Sequence, residues 1–146
     1  MTGIDTVADS SFLVSLYRRD SNHEAALNYI AANPLALPFS PLNRIELRNA
    51  LRNAESFAQI SRHERTAAFL QIEDDLREGI LIHLPIHWPS ILRRADELSE
   101  QHAQTDGQRT IDLLHVAIAL ENGAHTFLTF DKRQKKLAQS AGLLVP

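Results

Sequence analysis

Residues 109–146 read RTIDLLHVAIALENGAHTFLTFDKRQKKLAQSAGLLVP. TIDLLHVAIALENG (110–123) is the most apolar helical pattern in the chain, with Thr110 as its predicted N-cap and Asn122-Gly123 as its stop. A helix apolar nearly all round belongs in an interior. AHTFLTF (124–130) then reads as a strand, DKRQKKLAQSAG (131–142) as a basic helix ending at Gly142, and LLV (143–145) as a last strand. Helices alternating with short strands argue for a parallel sheet with helices on both faces.

The same alternation extends toward the N-terminus. IDTVAD (4–9) is a short strand ending at Asp9, followed by a helix in SSFLVSLYRRD. Ser21 and Glu24 have capping-box spacing for the helix EAALNYIAAN, which stops before Pro34. LALPF (35–39) is a strand confined by Pro38 to an edge or a strand end. Ser40 caps, and Pro41 opens, the helix in PLNRIELRNALRNAESF. A long amphipathic helix runs from about Ser61 to Glu78, GILIHLPI supplies another strand, and WPSILRRADELSEQHA another helix. QTDGQ (104–108) is the clearest loop. The expectation is one domain over residues 1–146, of class α/β: a three-layer α/β/α sandwich around a small central parallel sheet.

Composition narrows the chemistry. With 44% hydrophobic and 23% charged residues the chain matches globular proteins and not disordered ones. It has no cysteine, which excludes disulfides, thiolate catalysis and Cys-based zinc sites and fits a cytoplasmic location. The opening residues lack signal-peptide character, and no uncharged apolar run reaches membrane-spanning length. A net charge of -3 opposes nucleic-acid binding through phosphates alone, unless several carboxylates are neutralised by bound cations. No glycine-rich phosphate loop or Ser-His-Asp order appears.

Four carboxylates stand where chemistry is expected. Asp9 and Asp131 lie just past strands, where open α/β sheets bind ligands, although either could simply cap the helix that follows. Asp112 begins the buried helix, so its charge is drawn inward and asks for compensation beyond the helix dipole. Glu46 interrupts an apolar stripe between Leu42 and Ala50, with no lysine or arginine three or four positions away. Carboxylates and water suit Mg²⁺ or Mn²⁺, and such a cluster repels itself without a cation.

The order Asp9, Glu46, Asp112, Asp131, in ADSSFLVSLY, NRIELRNAL, RTIDLLHVAIAL and LTFDKRQKKLAQSAGL, resembles the PIN domain, particularly the VapC-type toxins of bacterial toxin-antitoxin pairs. The resemblance covers nearly the whole chain. It implies a Mg²⁺- or Mn²⁺-dependent endoribonuclease that hydrolyses RNA phosphodiester bonds, with Asp9, Glu46 and Asp112 as principal metal ligands and Asp131 completing the cluster. It also implies a cognate antitoxin and a homodimer. Ser11 and Thr129 resemble the family's supporting positions, where a hydroxyl can hold a carboxylate or a water, although turn and cap bonding is the plainer role for Ser11.

Other residues divide between chemistry and plain structure. Arg44, Arg48 and Arg52 form one basic row. A solvated helix face is the default for them, and RNA phosphate contact is the functional alternative for Arg44 and Arg48. Lys132, Arg133, Lys135 and Lys136 offer the same choice. His115, three residues from Asp112, is better explained as a satisfied interface histidine than as a ligand among oxygen donors. Two rival functions use the same residues: a PIN-like RNA- or protein-binding module without turnover, and a metal-dependent phosphohydrolase of small esters.

Overall fold

A computed structural model describes residues 3–146, with residues 103–106 described by backbone only. In chain order the elements are β1 (Thr6–Ala8), α1 (Ser10–Tyr17), α2 (His23–Ala32), β2 (Leu37–Phe39), α3 (Pro41–Ser56), α4 (Arg62–Arg77), β3 (Leu81–His83), α5 (Trp88–Asp106), α6 (Thr110–Glu121), β4 (Thr126–Leu128) and α7 (Lys132–Ser140). The chain divides into two compact units, one running to Asp9 and resuming at Pro85, the other spanning Ser10–Leu84. Strands alternate with helices as expected, and both strand pairs are parallel.

In the first unit β1 pairs with β4 in the register Thr6↔Thr126, Val7↔Phe127 and Ala8↔Leu128. These middle residues are almost wholly buried, Val7 at 2%, Ala8 at 0% and Phe127 at 0% exposure, which is why so short a pairing persists. The predicted LLV strand contributes a single parallel bridge, Thr126 to Leu144, on the other side of β4. The helix α6 packs against α5 and α7 and buries most of its side chains, as its all-round apolarity requires. Gly123 and Gly142 follow α6 and α7 with φ of 74° and 94°, a left-handed turn that a side chain would strain.

In the second unit β2 pairs with β3, Leu37↔Leu81 to Phe39↔His83. Pro38 is tolerated because the ladder runs along one side of the strand only. Helix α1 packs on α2 and α3, and α3 on α4. Ser40 caps α3 as predicted. Its hydroxyl accepts from Asn43 N at 3.0 Å, and Asn43 Oδ1 accepts in return from Ser40 N at 3.1 Å.

Three local expectations give way. Asn22, not Ser21, is the N-cap of α2 and uses no side-chain cap bond, because Asp20 Oδ1 accepts from Asn22 N at 2.9 Å and organises that turn instead. Thr110 is already helical, so Arg109 holds the N-cap position of α6. QTDGQ is not all loop: α5 continues to Asp106, and only Gly107, with φ 64°, breaks it. Among the described residues no helix is long and apolar enough to cross a membrane.

Candidate active site

Asp9, Thr129 and Asp131 leave the C-terminal ends of the paired strands β1 and β4 side by side, because parallel pairing delivers both chain ends to the same edge. Asp9 N donates to Leu128 O at 3.0 Å, which fixes the backbone there. Thr129 Oγ1 donates to Asp9 Oδ2 at 2.6 Å and accepts from Asp131 N at 3.0 Å. One hydroxyl thus ties two of the predicted carboxylates together. Asp131 Oδ1 accepts from Arg133 N at 2.9 Å and Gln134 N at 3.0 Å, so its N-cap role is real and leaves Oδ2 for other work.

Asp112, in the first turn of α6, is 6% exposed, and Asp9 is 4% exposed. The charge of Asp112 is met by Arg109, whose Nε donates to Oδ2 at 2.9 Å and Nη2 to Oδ1 at 3.3 Å. The same Nη2 reaches Asp131 Oδ2 at 3.4 Å. The short Nε contact makes Asp112 the main partner, since the other two lie beyond the best N–H···O range. Gln134 closes the arrangement from below α6, its Nε2 donating to Asp112 O at 3.2 Å while its buried Oε1 has no partner among the described residues. An orphaned buried acceptor of that kind is where an ordered water belongs.

Glu46 lies in the second unit, half-buried on α3 beside the buried stripe of Leu42, Leu47, Leu51 and Ala54. Ser10 Oγ donates to its Oε1 at 2.6 Å, a bond that follows from the packing of α1 on α3. Ser10 is thus one hydroxyl that holds this carboxylate, and Ser11, half-buried, is the next residue of α1. The arginine row turns away from Glu46. At 3.6 residues per turn, Arg44 and Arg48, each two positions from Glu46, project from the other side of α3. Arg44 pairs there with Glu73 at 2.7 Å, and Arg48 lies over the Phe69 ring at 4.3 Å. His115 is 4% exposed within α6, and the lysines of α7 are exposed.

Arg109, Ser10 and the side chain of Gln134 are the parts that sequence reasoning missed. A signal existed for Arg109, which precedes Asp112 by three residues at a helix start. None existed for the contact of Gln134 with Asp112, because the two are 22 residues apart in sequence.

The donors fit a hard divalent cation by type: carboxylate and hydroxyl oxygens, two of the carboxylates buried, with a neighbouring orphaned acceptor. Among the described residues, however, no three His, Cys, Asp or Glu side chains are gathered closely enough to hold one ion. Arg109 brings positive charge to Asp112 and Asp131.

A family model described as the PIN domain matches residues 6–140. The chain belongs to the PIN domain family. All four predicted carboxylates lie inside that PIN match. Among solved structures the chain is similar to the toxin VapC20 of Mycobacterium tuberculosis, described as cleaving the sarcin-ricin loop, with a TM-score of 0.70 and 18% identity over 96% of this chain and 97% of that one. It is similar to VapBC2 of Rickettsia felis, solved on a DNA fragment from its promoter, with a TM-score of 0.67 and 15% identity, covering 98% of both chains. FitAcB of Neisseria gonorrhoeae gives a TM-score of 0.58 at 14% identity, covering 96% of this chain and 95% of that one. These likenesses show the α/β PIN fold. No curated protein sequence matches the chain.

Proposed function

We propose that this PIN-family chain is a divalent-metal-dependent endoribonuclease acting as the toxin of a type II toxin-antitoxin pair. The observation that carries the proposal is the set of Asp9, Asp112 and Asp131 in one unit, tied by Thr129 and Arg109 at the ends of paired parallel strands. Fold alone would not suffice, since one fold hosts many functions. Asp9, Asp112 and Asp131 are the proposed ligands of Mg²⁺ or Mn²⁺, and Glu46 joins them on the strength of the family resemblance. The antitoxin partner rests on similarity to VapBC2 and FitAcB, and the cytoplasmic location and homodimer on the sequence reading.

A cation held by Asp9, Asp112, Asp131 and Glu46 would supply charge neutralisation at the phosphoryl oxygens and a more acidic water. The chain's residues do the rest. Thr129 fixes the orientation of the Asp9 carboxylate. Asp131 is held by its cap bonds with Oδ2 facing Arg109. Arg109, beside Asp112 and Asp131, would be placed to meet a phosphate, which its guanidinium fork suits.

Purified wild type, Asp112→Asn and a chelator control, each incubated with a pool of structured cellular RNA and Mg²⁺ or Mn²⁺, test the proposal. Metal-dependent cuts that vanish in the variant are expected. Binding of RNA without cutting by a folded, antitoxin-free wild type would move the protein to the binding-module reading. Cleavage of small phosphate esters but not RNA would indicate a phosphohydrolase.

A further inference from the structure

We propose that Arg48, Arg52 and Arg65, gathered round the Phe69 ring in the second unit, form a docking surface for the phosphodiester backbone of RNA on the side of α3 opposite Glu46; this rests on the ribonuclease reading. Their guanidinium carbons lie 4.3, 5.2 and 5.1 Å from the ring centroid, Arg48 and Arg52 from α3 and Arg65 from α4. Contact with one ring gathers the three cations on one face and restricts their freedom.

The charges on this face do not balance. Arg65 pairs with Glu55 at 2.6 Å and the neighbouring Arg44 with Glu73 at 2.7 Å. Arg48 and Arg52 have no ion pair among the described residues. Burial, then Arg52 and Arg44, pull the Arg48 pKa below its ordinary value, so the cluster carries a repulsion that an anion would relieve. Arg52 is exposed and Arg48 and Arg65 are half-buried, which leaves the edges open to a ligand.

A polynucleotide answers this demand better than an acidic peptide. Arginines four apart on a helix are spaced by about 6 Å of rise, so a row of them meets a line of charge, and a phosphodiester chain carries one on every unit. Planar forks match phosphate oxygens bidentately. The guanidiniums cover Phe69, so bases are not expected to stack on it and the contact should be indifferent to sequence. In a chain of net charge -3, a local basic patch of this kind gives RNA a place to bind. Docking here would place the bound strand about one helix diameter, about 10 Å, from the face that carries Glu46, favouring substrates large enough to span both.

The test is binding of a fluorescein-labelled RNA hairpin to the full chain in chelator, across a salt series, with wild type, an Arg48→Gln/Arg52→Gln pair and an Arg48→Lys/Arg52→Lys pair. The Gln pair should bind about tenfold more weakly, with its log-log salt slope shallower by about 2, and the Lys pair should restore most of that slope. In the cleavage assay the Gln pair should raise KM and leave kcat unchanged. An unchanged slope in the Gln pair overturns the proposal, as does poly-L-glutamate competing as well as RNA, which would make the face a dock for acidic protein. Should the Gln pair fail to fold by circular dichroism, the exposed Arg52→Gln alone decides, with about half the slope change expected. RNA left uncut in the presence of Mg²⁺ or Mn²⁺, together with a shallower slope in the Gln pair, would sink the nuclease and keep the surface, whereas metal-dependent cutting with an unchanged slope in the Gln pair would do the reverse.

Discussion

Thr129 concentrates more of the candidate site than any carboxylate does. Its hydroxyl donates its proton to Asp9 and accepts from Asp131 N, and the residue is 9% exposed, so removing the hydroxyl disturbs a buried bond. Thr129→Val keeps the shape and removes both bonds. It should cost about 1.5–3 kcal/mol of stability and lower cleavage about 10- to 100-fold, while Thr129→Ser should recover most of both. Thermal melts and single-turnover cleavage on the same preparations check this; a Val variant that melts early yet cuts at the wild-type rate would make the hydroxyl purely structural. Asp131 separates in a similar way. Asp131→Asn keeps the cap and removes the charge, whereas Asp131→Ala should lose about 1 kcal/mol of α7 stability as well. At this scale the sequence was informative wherever a residue type and its place agreed, as in LTFD and RTID. It was silent where the partner is distant, as for Gln134 and Asp112.

Between elements, one buried node joins α1 to α4. Tyr17 Oη donates to Asp75 Oδ2 at 2.6 Å, and Gln71 Nε2 donates to Asp75 Oδ1 at 2.7 Å, with Asp75 only 7% exposed. Burial, then the bond to Asp75, pushes the Tyr17 pKa far above its ordinary value. The folded state therefore keeps a proton that the unfolded chain releases near pH 10.0, so stability is unaffected by this group below that pH and falls above it. Urea melts at about pH 9 and 11 should show the loss, by up to about 1.4 kcal/mol per unit. Tyr17→Phe should flatten the Tyr17 part of that slope and cost about 1–3 kcal/mol at neutral pH by leaving a buried carboxylate oxygen without its donor. An alkaline slope identical in the Phe variant would assign the effect to another group. Helix existence was legible from periodicity, and the α3 start from Ser40-Pro41. Boundaries failed where two caps compete: Asp20 took the turn that Ser21 was expected to make, and a polar stretch such as QTDGQ carries no signal against continuing a helix until Gly107.

Over the whole molecule, short strands are stabilised by what they bring together. Thr129 and Asp9 bond across a separation of 120 residues, a pairing no local pattern could announce, although helix-strand alternation did announce parallel strands. The same closure gathers Asp9, Asp112 and Asp131 in one unit and leaves Arg109 as the cation described there. Arg109 is more than half exposed, with 56% of its side chain open, so its pairing is partly screened and its removal should cost only about 1 kcal/mol. For a chain of this size that is a fall in Tm of about 2–4 °C. If a divalent cation uses the same carboxylates, arginine and metal compete, and linkage gives the sign. Arg109→Met should melt lower than wild type in chelator, gain more from Mn²⁺, and reach half-maximal stabilisation at a lower Mn²⁺ concentration. Asp112→Asn should lose the Mn²⁺ response in either background. Equal Mn²⁺ responses in wild type and Arg109→Met would mean that the guanidinium and the cation occupy different places, and that Arg109 is a structural counter-charge to the start of α6 alone.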